Sequence, residues 1–544
     1  MKEIATYGWD VVYATNYKII NKYIDKNKHY PQKFSASKKI ITSLFKISGE
    51  WTNWSLKKGG TGKNILIECI VSSGGLYDEK DTLIGSLEGS SITIQITLQK
   101  KIDTSKTIED PSSLNNGVPW ILQVNDKSID MSNAVIIVES HYTNIVEGTK
   151  EVLDLLFLSY FNENIKEFDY IFSIVMLDLD SINEDLQWIK PTAFSYAVAH
   201  TKSDESSDIF SCLNLIDSNK NIGDRQQSID NRISHFFTNN VDALVIFSKE
   251  IYTKYFLLPA AVNFISGSKE DDFEISEYGL SVYNKKELIW GEFVIGSKTE
   301  NEVIKPLIPA NGLNINLQQD RIHININGAT FRPKKGHVTS TININQSLTF
   351  EMVRNDKNEL IFIPDLKNIN DININITNKV DKGIIITDII LGVITIMASL
   401  VYGVAAWRDI SLIAKIGQET ETGYELISLS RTFAGVEEAE LAEMMWDTVD
   451  IGTNPVYRPT SIPIKNSLSV AQSISSTFVE GEVSSANLVR AAFSELYDDL
   501  ESLNSFASNY TGTSALSGLK ASEVQTAQFA DSLVIGISLD DTLK

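Results

Sequence analysis

The chain has 544 residues, 43% of them hydrophobic and 22% charged, with 48 Lys+Arg against 70 Asp+Glu and a formal net charge of −22. That length exceeds what one hydrophobic core supports, so several domains are expected, and the composition is that of a globular chain. The acidic balance argues against nucleic acid as a partner and against general adsorption to anionic lipid, because phosphate partners need a basic face.

Two cysteines, Cys69 and Cys212, lie far apart inside apolar runs and read as buried free thiols. Neither a disulfide framework nor a zinc-ligand spacing is visible. The first ten residues, MKEIATYGWD, carry no apolar segment with a cleavage signature. The expected location is therefore the cytoplasm, or the outside after lysis or an unconventional release.

Residues 9–25 read as an amphipathic helix, with Trp9, Val12, Ile19, Ile20, Tyr23 and Ile24 on one side and Asp10, Lys18, Lys22 and Asp25 on the other. Strands are predicted at 38–47, 51–57 and 63–73, with Gly59-Gly60-Thr61-Gly62 as the turn between the last two. Residues 91–102 alternate, Ile92, Ile94, Ile96 and Leu98 against Thr93, Gln95, Thr97 and Gln99, which predicts a strand with one buried face. A polar loop at 103–117 precedes strands at 120–125 and 134–141. Over 149–166 the apolar residues cover more than half of a helical circumference and predict a largely buried helix. Further strands are expected at 168–178, 192–200 and 209–216, followed by a polar break at 217–231.

In the apolar block 233–265, Ser248 is placed to cap a helix that carries Ile251, Tyr252, Tyr255, Phe256 and Leu258 and that Pro259 should end or kink. Strands with one Asn/Thr-rich wet side follow around 322–326, 342–350 and 372–376. The order of helix and then long alternating strands thus occurs twice, which suggests a duplicated layout with amphipathic helices covering antiparallel sheets.

Residues 383–407 are apolar apart from Asp388 and reach the length of a membrane-span candidate. Asp388, Gly392, Thr395, Ser399 and Tyr402 share one helical face, and Arg408 and Asp409 follow at once. A helix buried in protein is therefore expected, with membrane entry as the alternative. From Gln418 onward there are 19 acidic against 6 basic residues, and 408–544 reads as an acidic helical extension.

Candidate chemistry is sparse. Gly59-Gly60-Thr61-Gly62-Lys63-Asn64 lacks the first Gly and the Ser/Thr of a phosphate loop. Gly85-Ser86-Leu87-Glu88-Gly89 puts its serine one place early for a nucleophile elbow. Asp178 and Asp180 end an apolar strand, the six histidines have no ligand spacing, and no metal, cofactor or catalytic constellation is predicted. Lys57-Lys58 and the island Arg332, Lys334 and Lys335 read as solvated hairpin tips, with lipid head-group recognition as the functional alternative.

Three strings carry a resemblance. They are Thr6-Tyr7-Gly8-Trp9-Asp10-Val11-Val12-Tyr13 with Asn21 beyond it, Pro191-Thr192 with Tyr196, and Ala243 to Lys249 running into Leu257-Leu258-Pro259. Together they resemble the clostridial P-47 and OrfX proteins encoded beside botulinum-type neurotoxins, over about residues 1–400. The resemblance implies an α+β fold of duplicated tubular lipid-binding (TULIP) modules, each a long helix wrapped by a curved antiparallel sheet. It also implies a non-enzymatic role. The expected boundaries are 1–216 and 217–407 for the modules and 408–544 for the extension.

The expected function is binding of a lipid or other hydrophobic ligand by an accessory component of a toxin gene cluster, with other cluster proteins as possible partners. Two alternatives stand beside it: a membrane-inserting, pore-forming subunit that uses 383–407, and a protein–protein scaffold whose groove is filled by its own side chains. Periodicity alone nominates the groove residues: Val12, Ile19 and Tyr23 facing Ile92, Ile94 and Leu98, and Tyr252, Tyr255 and Phe256 in the second half.

Overall fold

The N-terminal string folds as a turn, a strand and then a helix. Tyr7 and Gly8 take positive φ, Trp9 donates its backbone N–H to Thr6, and the buried indole of Trp9 donates to the carbonyl of Gln226 at 2.9 Å. Val11–Asn16 is a strand, and the helix α1, Tyr17–Asn27, starts only after it. The expected helix over 9–25 is thus corrected in its first half. Val11, Val12 and Tyr13 are β-branched or aromatic and lie between two neighbouring strands, where both faces are buried and no alternation is required. Asn16 makes the switch by accepting from the N–H of Ile19, and Lys28 closes the helix in the left-handed region.

A computed structural model of the chain describes residues 4–102, 120–165, 188–377 and 521–539, apart from 126–133, 202–207, 217–221, 333–338 and scattered single positions or pairs; between 378 and 520 it describes only Ala486, Leu503 and Asn504. Among the described residues strands predominate and helices are few, and the fold class is α+β. The chain forms two compact units. One holds residues 4–246 with most of two C-terminal strands, and the other holds the described residues from Phe247 to 377 with the turn at 527–534. The first unit runs past residue 216 because Ala243–Phe247 lies directly beside Val11–Asn16 in one sheet.

The first unit has two main sheets. One is antiparallel, in the order Lys33–Ile40, Ser43–Thr61, Asn64–Tyr77, Ser91–Ile96 and Ile136–His141. The other runs in the order Ala193–Ala199, Ile209–Leu215, Val11–Asn16, Ala243–Phe247, Leu533–Leu539 and Ala521–Phe529. The single strand expected over 91–102 is broken after Ile96, and Leu98–Ile102 instead pairs with Trp120–Val124 as a separate ribbon. The helix α2, Lys150–Glu163, falls where its apolar pattern places it. It lies along the edge strand of the antiparallel sheet. Asn162 accepts from Val135 N–H and donates to Val135 C=O, and Lys150 donates to Ser140 C=O. Side chains of a helix thereby occupy backbone groups that an edge would otherwise expose.

The C-terminal segment corrects a second expectation. Ala521–Phe529 and Leu533–Leu539 are strands rather than part of a helical extension, and Asp531 turns between them at φ 55. The Leu-Val-Ile-Gly-Ile-Ser-Leu run suits a fully covered central strand better than a helix.

In the second unit, Ser248 caps a helical run by accepting from Ile251 N–H. Pro259 does not end that run. A π-helical turn at Thr253–Leu257 precedes it, and Pro259 sits in the first turn of Leu258–Phe264, where the helical hydrogen-bond pattern changes. The sheet runs from Phe273–Ile275 through Ser281–Asn284, Leu313–Gln318, Arg321–Phe331 and Ser340–Leu348 to Asn373–Ile376.

Candidate binding surfaces

The apolar layer of the first unit is built of aromatic rings. α2 buries Leu153, Leu156, Phe157, Tyr160 and Phe161 over strands Lys33–Ile40 and Ser43–Thr61. Phe34 lies 4.6 Å from Trp51 and 5.3 Å from Phe157, ring centre to ring centre. Trp51 lies 5.9 Å from Phe161 and 5.6 Å from Trp54, and Tyr142 stacks on Phe157. Such separations are ordinary for interlocking rings.

Trp51 and Trp54 share the inner face although they are three residues apart, because the strand bulges at Thr52 and its partner bulges at Ser72. Polar tips are mostly satisfied: Tyr160 Oη donates to Lys33 C=O and Tyr142 Oη to Asp154. The indole N–H of Trp51 is buried without an acceptor among the described residues.

The groove residues expected from periodicity separate into several places. Val12 is buried in the sheet of Val11–Asn16, opposite Leu213. Ile92 and Ile94 are fully buried in the other sheet, opposite Cys69 and Ile67. Leu98 is buried in the separate ribbon, and its N–H donates to Tyr196 Oη at 2.6 Å.

α1 lies against strand Ser43–Thr61 and buries Tyr17, Ile20 and Ile24, whereas Ile19 and Tyr23 are half-buried. Tyr23 stacks on His29 at 5.2 Å, and burial raises its pKa above the ordinary phenol value. Burial likewise lowers that of His29. What fastens α1 is Asn21. It donates to Leu56 C=O at 3.0 Å and accepts from Leu56 N–H at 2.7 Å.

In the second unit, Tyr252 and Phe256 stack at 4.6 Å and are buried, while Tyr255 is half-buried beneath the ammonium of Lys254. Phe529 meets Tyr252 edge-on at 5.1 Å and also touches Phe350 and Phe362. Phe529 lies in a segment whose composition predicts helix, so nothing in the sequence marks it as part of this cluster. The aromatic layer around Trp51, Trp54, Phe157 and Phe161 goes unmarked too, although an alternation count that allows for a bulge finds it.

The glycine turn is closed off from phosphate. Gly59 N–H donates to the buried carboxylate of Asp208 at 2.8 Å, and Asp208 also accepts from Thr201 N–H and contacts His200 Nδ1. An acid therefore occupies the place where a phosphate loop needs an anion. Gly62 exchanges two backbone bonds with Val198, which seats the turn on the second sheet. Tyr17, buried nearby with no hydrogen-bond partner for its hydroxyl among the described residues, has its pKa raised by desolvation and by Asp208.

Lys57 is not a free cation. It bonds Glu68, Glu139 and Thr93, and although desolvation opposes its charge, the two carboxylates raise its pKa. Arg332 is exposed, whereas Lys334, Lys335, Asp178, Asp180 and the whole stretch 383–407 lie outside the described residues. Among the described residues no cluster has the makings of a metal site, and no helix is long and apolar enough to cross a membrane.

Helices laid on antiparallel sheets, in two units of one chain, define the class as an α+β protein whose candidate surfaces are apolar layers and sheet faces. Two solved structures share this fold across nearly the whole chain. P47 from Clostridium botulinum A2 superposes with a TM-score of 0.59 at 16% identity, covering 98% of both chains. P47 of Clostridium botulinum E1 superposes with a TM-score of 0.57 at 14% identity, covering 98% of this chain and 100% of that one. The chain belongs to the OrfX-like family, described as Protein OrfX2/OrfX3/P47, whose model matches residues 6–448. It is 26% identical to OrfX3 of Clostridium botulinum (strain Kyoto / Type A2) over 296 residues, 50% of this chain and 58% of that protein. It is 24% identical to OrfX3 of Paraclostridium bifermentans over 299 residues, 50% and 57% of the two chains. These matches span little more than half of the relatives' length. None of the names they carry denotes an enzyme.

Proposed function

We propose that this chain is a non-enzymatic accessory component of a bacterial toxin gene cluster and works as a protein–protein scaffold. The observation that carries this reading is the filled layer beneath α2. Phe34, Trp51, Trp54, Phe157, Tyr160 and Phe161 are all buried and touch one another ring to ring. A groove occupied by its own side chains leaves binding to outer surfaces. The family membership supports the cluster association, and the two compact units fit a chain of two modules.

A second reading, uptake of a lipid or other apolar ligand, is favoured at α1, where the apolar side chains of Ile19 and Tyr23 are only half-buried. Native mass spectrometry of the full chain, with solvent extraction, tests both. The scaffold reading expects the mass of the bare chain and an empty lipid extract. A lipid recovered in one-to-one amount overturns it in favour of the second.

A further inference from the structure

The sheet of the second unit has an isoleucine face and an amide face. Leu313, Ile315, Ile324, Ile326, Ile342 and Ile344 are fully buried on one side. On the other side the strand registers align a single row. Glu274 lies opposite Tyr283, Tyr283 opposite Asn314, Asn314 opposite Asn325, Asn325 opposite Asn345, and Asn345 opposite Asn373. A second row beside it holds Ser281, Asn316, His323 and Ser347, and Asn343 opposite Asn375 adds to the other flank. Every one of these side chains is half-buried or exposed.

Stacked asparagines can satisfy one another as a ladder. Here Asn316 donates to Asn314, and Asn343 accepts from Gly328 N–H. The side chains of Asn325, Asn345, Asn373 and Asn375 make no hydrogen bond to other described residues. No described residue takes up their amide donors and carbonyl acceptors.

The chemistry of the row selects its ligand. From Tyr283 to Asn373 it carries no charge, and His323 alongside is kept neutral at pH 7, since desolvation and the neighbouring Arg321 lower its pKa. An anion would find no cation in the row and a cation no carboxylate short of Glu274. An apolar partner would bury the amides unpaired, at a cost. A carboxamide presents two donors and one acceptor side by side, the complement of two adjacent hydroxyls on a sugar ring. Neighbouring strands are spaced by about 4.8 Å, close to the advance per ring of an extended β-linked glycan, so successive rings meet successive amides. Tyr283 ends the row with a ring on which a sugar can stack.

We propose that this face binds a neutral, extended glycan that crosses the strands from Tyr283 to Asn373. The proposal does not depend on the scaffold reading.

The test uses the full chain on an array of neutral, sialylated and sulfated glycans, with cellohexaose titrated by calorimetry as a soluble neutral probe. Neutral β-linked glycans should bind and acidic ones should not, with little effect of added salt. Asn325→Ala/Asn345→Ala/Asn373→Ala should weaken binding roughly tenfold or more, from the loss of several hydrogen bonds. Asn345→Asp, which keeps the shape but removes two donors, should weaken it with an unchanged thermal melt. The proposal is overturned by the absence of any neutral glycan binding, by a preference for acidic glycans, or by full affinity in the triple variant.

Discussion

Asn21→Ala should detach α1 from the sheet. Strand Lys33–Ile40 pairs with residues 43–50 of its neighbour, so at Leu56 the longer strand has no strand partner on that side among the described residues. The carboxamide of Asn21 takes the place of the missing strand. It accepts from Leu56 N–H at 2.7 Å and donates to Leu56 C=O at 3.0 Å, and the leucine side chain itself is buried. Alanine removes both partners and offers no substitute. Each buried backbone group left unsatisfied costs about 1–3 kcal/mol; because the site is part-buried and water can reach it, a total of about 2–4 kcal/mol is expected.

For a unit of this size, about 2–4 °C of melting temperature corresponds to 1 kcal/mol, so the transition of the first unit should fall by roughly 5–12 °C in calorimetry. Asn21→Asp keeps the acceptor for Leu56 N–H but turns a carboxylate on Leu56 C=O, and should recover only part of the loss. Lys18→Ala, on the exposed side of the same helix, should stay within about 0.5 kcal/mol of the parent. Parent-like stability in Asn21→Ala, or equal effects at positions 18 and 21, would show that the amide is not the fastening.

Three further outcomes are expected. Asp230 bonds Arg232 and Ala5 N–H; desolvation opposes its charge, but these partners outweigh it and hold its carboxyl below the usual aspartate range. A lowered folded pKa contributes stability that is present above the unfolded value near ~4 and is lost as pH falls through the folded one. Asp230→Asn should therefore be less stable at pH 7, and its urea midpoint should fall less steeply on acidification; identical pH profiles would refute this. Trp54→Ala should cost about 3–5 kcal/mol in denaturant unfolding, since its ring is fully buried against Trp51 and Phe161; a loss under ~1 kcal/mol would contradict the filled layer. Ser248→Ala should cost about 1 kcal/mol through the lost cap on Ile251, and Ser248→Asp should restore most of it; indifference to both substitutions would argue against the cap.

Local chemistry settled a good part of this molecule from the sequence. The period of 149–166 specified α2, Ser248 specified a cap, and the alternation of Ile322, Ile324 and Ile326 specified a strand with one wet face. The family strings pointed to the OrfX-like proteins, and three of their members, Trp9, Asp10 and Asn21, turn out to make tertiary hydrogen bonds to Gln226, Ile216 and Leu56.

Other features exist only once distant segments meet. Val11–Asn16 is a strand because neighbours cover both its faces, which a pattern of one buried side cannot foresee. Trp54 faces inward only because paired bulges shift the alternation after Trp51; counted regularly from Ile47, it would point to solvent. The residues nominated as one groove are scattered because Val12, Ile94 and Leu98 belong to three different sheets. The amide row from Asn314 to Asn373 depends on interstrand register, and register is fixed by pairings between residues as many as 34 positions apart.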